Sequence, residues 1–272
     1  MTTSSTPFWK MHGAGNDFIL FDDRDETFPC DATDRIEKIA TPKYGIGSEG
    51  VILIQPSDSA DFRMRFFNPD GNEVEMCGNG ARCVARLAYE QDIAPEKMTF
   101  DTVAGVIGAT IIAKDRVRLD MTPPEGLALN QTLSVQGQDL TYHYVNSGVP
   151  HVVMEMDNIE KVDLKALGPA IRFHERFAPA GTNMNIIQIT GPDSLNVRTY
   201  ERGVEAETLA CGTGIVAAGL IAGSLGRVST PVKVTCAAGD IMEVNYTQGP
   251  DGPESPTLTG PAVHVFSGKI DV

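Results

Sequence analysis

Short runs rich in Val, Ile, Tyr and Phe recur along the chain with Gly, Pro, Asn and Asp between them, a spacing that predicts many short strands. In the first half these runs are 51–54, 62–67, 106–113 and 116–121. In the second half they are 140–145, 152–156, 184–189, 195–200, 232–236, 241–246 and 262–266. Helical signals are fewer. Residues 34–40 and 163–173 give two candidates, and two more begin just after a Cys-Gly-x-Gly sequence. Residues 81–90 carry Val84, Leu87 and Ala88 on one face, whereas 215–225 are apolar almost all round, the pattern of a fully buried helix.

These two helices belong to a longer internal repeat. Cys77 in Glu75-Met76-Cys77-Gly78-Asn79-Gly80 matches Cys211 in Leu209-Ala210-Cys211-Gly212-Thr213-Gly214. Gly105 and Gly239 each follow their cysteine by 28 residues, and Arg65–Asn68 stands at the same offset before Cys77 as Thr199–Arg202 before Cys211. The expected fold is α/β (α+β), with two pseudo-symmetric halves, each a mixed sheet wrapped around a central helix with a thiol at its N-terminus. Pro123-Pro124-Glu125-Gly126 punctuates the end of the first repeat. The expected domains are residues 1–120 with 262–272, carrying Cys77, and residues 121–261, carrying Cys211. In this reading the closing strand at 262–266 has no counterpart inside the second repeat and returns to the first half. Residues 249–256 read as a surface hairpin tip, and 1–7 as a disordered tail.

Composition narrows the class. With 272 residues and 42% hydrophobic content, the chain is long enough for two domains and a sizeable core. A net charge of −14 and the lack of a Lys/Arg run argue against a nucleic-acid partner. The most apolar stretch, 215–225, is about half a membrane span, and 1–7 lacks the apolar core of a secretory signal, so no membrane partner and a cytoplasmic location are expected. Five cysteines, two of them beside glycine-rich turns, suit reduced thiols better than a disulfide framework.

The chemistry follows from the repeat. A helix N-terminus offers unpaired N–H groups and positive partial charge, which favour a thiolate and bind a carboxylate. Two such thiols can flank one substrate carbon, removing a proton from one face and returning one to the other. Arg202, beside Glu201, can clamp a carboxylate with paired hydrogen bonds. Asn16, Asn68 and Asn183 stand at turn-like positions, where their amides either cap the backbone or contact a ligand. Cys30, Cys83 and Cys236 read as structural thiols. Zinc-type ligand spacing is missing, the glycines at 13–15 do not form a dinucleotide fingerprint, and no lysine sits in a cofactor context, so no metal and no cofactor are expected. The alternatives are a racemase of another amino acid on the same fold, or a non-catalytic redox-sensing thiol protein.

Several motifs together resemble the diaminopimelate epimerases: Lys10-Met11-His12-Gly13-Ala14-Gly15-Asn16-Asp17-Phe18, Phe67-Asn68-Pro69-Asp70-Gly71, Met76–Cys83, Gly148-Val149-Pro150-His151, Gly181-Thr182-Asn183, and Tyr200-Glu201-Arg202-Gly203 with Glu207–Gly214. The resemblance implies a cofactor-independent enzyme that interconverts LL- and meso-2,6-diaminopimelate in lysine and peptidoglycan precursor synthesis, often as a homodimer, with its site in a cleft between two similar halves. It places the active-site thiols on Cys77 and Cys211. Substrate contacts fall on Asn16, Asn68, Asn183, Glu201 and Arg202, with backbone contacts at Gly78, Asn79, Gly212 and Thr213. His151 and Glu201 fall on the thiol-tuning residues. The chain departs from the pattern at Val149, where the family commonly has Asn, at Gly50, where a Gln is frequent, and at Phe266, which replaces a tyrosine linked to dimer contact in some members.

Overall fold

The computed structural model describes residues 5–271. The chain forms, in order, β1 Ser5–Gly13, β2 Asn16–Asp22, α1 Thr33–Ala40, β3 Val51–Gln55, β4 Phe62–Phe67, β5 Glu73–Val74, α2 Gly78–Glu90, β6 Lys97–Thr102, β7 Gly105–Ala113 and β8 Arg116–Asp120. It continues with β9 Glu125–Val135, β10 Gln138–Asn146, β11 Pro150–Glu155, α3 Leu164–Arg172, β12 Asn183–Gly191, β13 Ser194–Glu201, β14 Ala206–Thr208, α4 Gly212–Ser224, β15 Val232–Thr235, β16 Ile241–Gly249, β17 Gly252–Pro261 and β18 Val263–Asp271. Two compact units result. One runs to Leu119 and takes in the residues from Gly260 onward; the other is Asp120–Thr259.

The two units share one pairing scheme. In the first, β1–β2 is antiparallel, β2–β3 parallel, β3–β4 and β4–β5 antiparallel, β4–β6 parallel, and β6–β7 and β7–β8 antiparallel. In the second, β10 to β17 repeat that order and those directions without exception. The helices fall in matching places: α1 and α3 precede β3 and β12, and α2 and α4 precede β6 and β15. Within the first unit α2 packs against β1, β2, β3, β4 and β7; within the second α4 packs against β10, β11, β12, β13, β15 and β16. Each sheet thus wraps a central helix.

Burial explains the strand composition. Ile19, Phe21, Val51 and Leu53 pack with Ile36 and Ile39 of α1. The alternate residues Phe18, Leu20, Ile52 and Ile54 are also fully buried, so both faces of β2 and β3 are covered and their apolar runs are continuous. In the second unit Val152, Met154, Met184 and Ile186 pack with Leu164 and Ile171 of α3. Helix α4 is buried from Gly214 through Ala222, which suits its apolar circumference.

Three expectations are corrected. Residues 5–7 are not a tail but the start of β1, paired to Lys269–Asp271 of β18; residues 1–4 lie outside the described range. The segment 249–256 does hold the tip of the β16–β17 hairpin, but it is mostly strand: the two pair from Gly249↔Gly252 through Thr247↔Glu254, and a register shift beyond that pair accommodates Ser255, at φ 49°, and Pro256. Only Pro250 and Asp251 turn. The closing strand does have a counterpart. β18 pairs with β1, and β9 pairs with β10, the equivalent strand, but β9 comes at the start of its unit and β18 at the far end of the chain. Buried arginines of α2 fasten that return: Arg82 Nε donates to Pro261 O at 3.0 Å and Arg86 Nη1 to Ala262 O at 2.5 Å.

Candidate active site

Cys77 and Cys211 are the N-cap residues of α2 and α4, both in extended backbone, φ −134° and −102°. Their carbonyls accept the first helical hydrogen bonds, from Ala81 N at 2.8 Å and Ile215 N at 2.9 Å. The thiols therefore project where a helix presents its unsatisfied first-turn N–H groups, a setting that attracts anions. Cys77 is half-buried and Cys211 buried. The remaining cysteines differ. Burial pushes Cys83 up to about 12 and raises Cys30 and Cys236, which makes all three poor thiolates.

Each helix opens Gly-x-Gly, and the second glycine permits close approach to the sheet. A Cβ on Gly80 would meet Ile52 Cδ1 at 2.8 Å, with Phe18 next to it at 3.6 Å. A Cβ on Gly214 would meet Asn185 Oδ1 at 2.5 Å and His151 Cε1 at 3.3 Å. Phe18 and His151 stand on the equivalent strands β2 and β11, and Ile52 and Asn185 on β3 and β12. Ile52 pairs with Phe66, and Asn185 with Thr199. The repeat is therefore offset by one residue upstream of the cysteines, and Asn68, not Phe67, is the counterpart of Glu201.

The second unit surrounds Cys211 with polar groups. Glu201, the last residue of β13, hydrogen-bonds to the Cys211 side chain and accepts from Thr208 Oγ1 at 2.8 Å. Burial raises its carboxyl above the usual range, and these two bonds only partly offset that. Cys211 Sγ lies 3.6 Å from Thr213 Oγ1, which lies 2.9 Å from His151 Nε2. His151 is fully buried, and that burial, with Arg202 contributing, lowers its pKa to about 3, so the ring is neutral across the working range. Both residues that the resemblance marks as thiol-tuning thus lie on the Cys211 side.

The asparagines fall at strand ends. Asn183 opens β12, and its amide is largely committed: Oδ1 accepts from Arg202 N at 2.8 Å and Nδ2 donates to Pro150 O at 3.0 Å. It ties the start of β11 to the end of β13 and holds Arg202, whose Nη1 also reaches Ala180 O at 3.3 Å. Asn16 opens β2, and its Oδ1 is buried with no hydrogen-bond partner, an acceptor suited to an ammonium donor. Asn68 follows β4 and closes the hairpin to β5 through Asn68 N to Asn72 O at 2.9 Å. Asn79 Oδ1 accepts from Arg82 Nη2 at 2.7 Å. Gly78, Gly212 and Thr213 lie in the first turns of α2 and α4.

The departure at Gly50 has a local explanation. At Gly50 a Cβ would stand 2.4 Å from the Phe66 ring, so no side chain fits there. Beside Val149, Ser147 is fully buried and donates to Thr213 O at 2.8 Å, and Asn146 Oδ1 accepts from Gly148 N at 3.1 Å. Asn185 and Thr199, both buried, carried no sequence signal, because each reads as an ordinary strand residue. Among the described residues, no three His, Cys, Asp or Glu side chains converge as a metal-ligand set, and no helix is long and apolar enough to cross a membrane.

The two matching units place the chain in the class of two-fold repeat folds, which it shares with several solved structures. A probable proline racemase from Agrobacterium radiobacter K84 superposes with a TM-score of 0.69 at 17% identity, covering 97% of this chain and 92% of that one. A phenazine biosynthesis protein of the PhzF family from Bacillus anthracis gives 0.70 at 15%, covering 99% and 100%. The chain belongs to the diaminopimelate epimerase family: the family model matches residues 8–127 and 143–265. The diaminopimelate epimerase of Aquifex aeolicus is 42% identical to it over 274 residues, covering 97% of both chains.

Proposed function

We propose that this chain interconverts LL- and meso-2,6-diaminopimelate without a cofactor, by a two-base route through Cys77 and Cys211. The observation that supports it best is the matched placement of the two thiols, each capping the buried helix of its unit, in a chain of this family. One cysteine, as thiolate, takes the α-proton; the other, as thiol, delivers a proton to the opposite face. The roles exchange with direction. As the proton leaves, negative charge spreads onto the α-carboxylate. The first-turn amides at Gly78, Asn79, Gly212 and Thr213 are the groups that receive that charge. Glu201, whose raised pKa makes it a competent proton acceptor, takes the Cys211 proton when that residue works as base. Arg202 clamps a carboxylate, and Asn16, Asn68 and Asn183 fix the polar ends of the substrate. The enzyme works in the cytoplasm as a homodimer; the exposed Val265 and Phe266 on β18 offer an apolar surface for a second copy.

Purified protein incubated with LL-diaminopimelate in heavy water tests this. Deuterium appears first in the meso product, with little in recovered substrate, and Cys77→Ala and Cys211→Ala are each inactive. Equal early labelling of both pools overturns the two-base route. Faster turnover of proline, lysine or histidine than of diaminopimelate overturns the substrate.

A further inference from the structure

The polar groups behind Cys211 form a chain whose hydrogen positions can be deduced. Asn185 Nδ2 lies 2.9 Å from Val152 O, which can only accept. That fixes the orientation of the amide, and Thr199 Oγ1 accordingly donates to Oδ1 at 2.8 Å. The second Nδ2 hydrogen points at His151 Nδ1, 3.1 Å away. Nδ1 must therefore accept, and a neutral imidazole then carries its proton on Nε2. Nε2–H faces Thr213 Oγ1, which accepts it and has its own hydrogen left to give. Cys211 Sγ lies within sulfur hydrogen-bond range of that oxygen.

We propose that Asn185 is a positioning residue that holds His151 as the Nε2–H tautomer, so that the Thr213 hydroxyl donates to the Cys211 sulfur. No proton is transferred along the chain; it orients a donor at the place where thiolate charge forms. The inference rests on the reading of Cys211 as an acid–base group. It also accounts for Gly214, since any Cβ there would enter the space of Asn185 and His151. In the first unit the two places against Gly80 are held by Phe18 and Ile52, which have no hydrogen-bonding side chain. The relay thus belongs to one thiol of the pair. The charged groups around it are Glu201, bonded to Cys211, and Arg202, whose charge is felt at His151.

The test uses no substrate. The full-length chain is treated with iodoacetamide from pH 6 to 10, and modification of the Cys211 peptide is followed by mass spectrometry. Thr213→Val slows alkylation at pH 7.5 about tenfold, as expected when a hydrogen bond to an ionised sulfur is lost and the titration moves up by about one unit. Thr213→Ser recovers most of the lost rate. Asn185→Leu slows the reaction by a similar factor alone, but by less than about twofold in the Thr213→Val background, because both act through the same hydroxyl. Long-range proton–nitrogen spectra of histidine-labelled wild type show His151 as Nε2–H, and Asn185→Asp, whose carboxylate only accepts, moves the proton to Nδ1. A wild-type Nδ1–H tautomer overturns the proposal, as do additive rate losses in the double variant. If Asn185→Leu does not fold, the wild-type tautomer and the Val/Ser pair at position 213 still decide. A chain that shows these signatures but leaves diaminopimelate untouched keeps the relay and loses the function; an active epimerase with additive losses does the reverse.

Discussion

Replacing Gly214 with Ala sets two known effects against each other. Helix propensity favours Ala over Gly by about 1 kcal/mol. Packing opposes it, because the new Cβ would stand 2.5 Å from Asn185 Oδ1, where ordinary contact begins at roughly 3.5 Å. The amide cannot retreat cheaply, since it is held by Val152 O, His151 Nδ1 and Thr199 Oγ1. Overpacking costs about 1–3 kcal/mol, and breaking one of those bonds adds about 1. The net expectation is a loss of about 2 kcal/mol. With a urea slope of about 3 kcal/mol/M the midpoint drops by roughly 0.7 M, read by far-ultraviolet circular dichroism. Gly78→Ala is the control. Nothing lies within 4 Å of its Cβ, so that variant melts at or slightly above wild type. If Gly214→Ala also melts at or above wild type, the close approach of α4 to Asn185 and His151 is not what requires glycine, and the packing argument fails.

Further outcomes follow from the same geometry. Arg82→Met removes donors to Pro261 O, Gly78 O and Asn79 Oδ1 and leaves buried acceptors unmet, so it costs about 3 kcal/mol and speeds amide exchange in β18; a loss under about 1 kcal/mol contradicts this. The folded-state pKa of His151, about 3, lies below the unfolded value near 6.5, so the unfolded chain binds more protons between them. Its contribution is therefore complete above about pH 6.5 and declines as pH falls toward 3, by up to about 1.4 kcal/mol per unit; His151→Gln flattens the wild-type slope between pH 7 and 5, and identical slopes refute the assignment. Val149→Asn changes kcat/KM by less than about tenfold, or about 1.4 kcal/mol. Asn183→Ala loses more, because it also frees Pro150 O and Arg202 N; equal losses in steady-state assays contradict that ranking.

The continuous apolar run Val51–Ile54 was legible because a strand covered on both faces needs no polar residues, and Met184–Ile189 was legible because apolar residues dominate it. β9 and β17 were not. β9 has mostly exposed or half-buried residues and a positive φ at Asn130, and β17 carries Pro253 and Pro256 and shifts register near Ser255. Loop-forming residues in both are tolerated because a neighbouring strand supplies the ladder, which one-dimensional patterning cannot register. The repeated cysteines exposed the two helix caps, but equal spacing hid the one-residue offset that makes Asn68 the counterpart of Glu201. Asn185 was invisible for a different reason. A polar residue in a mainly apolar strand acquires meaning only when the strand beside it brings His151 into reach.

The position of β18 gives the chain a direction of assembly. On the ribosome, strands β1 to β8 emerge first, yet β1 lacks its outer neighbour until residues 263–271 are made. Through all of that interval Arg82 and Arg86 lack the acceptors Pro261 O and Ala262 O. Strands β9 to β17 are consecutive, so the second unit has its whole sheet in hand earlier. The half translated first is therefore the half finished last. A nascent chain halted before Pro261 leaves the Cys77 half with an open sheet edge and with Arg82 and Arg86 short of these two acceptors, a species for chaperones to hold and proteases to find.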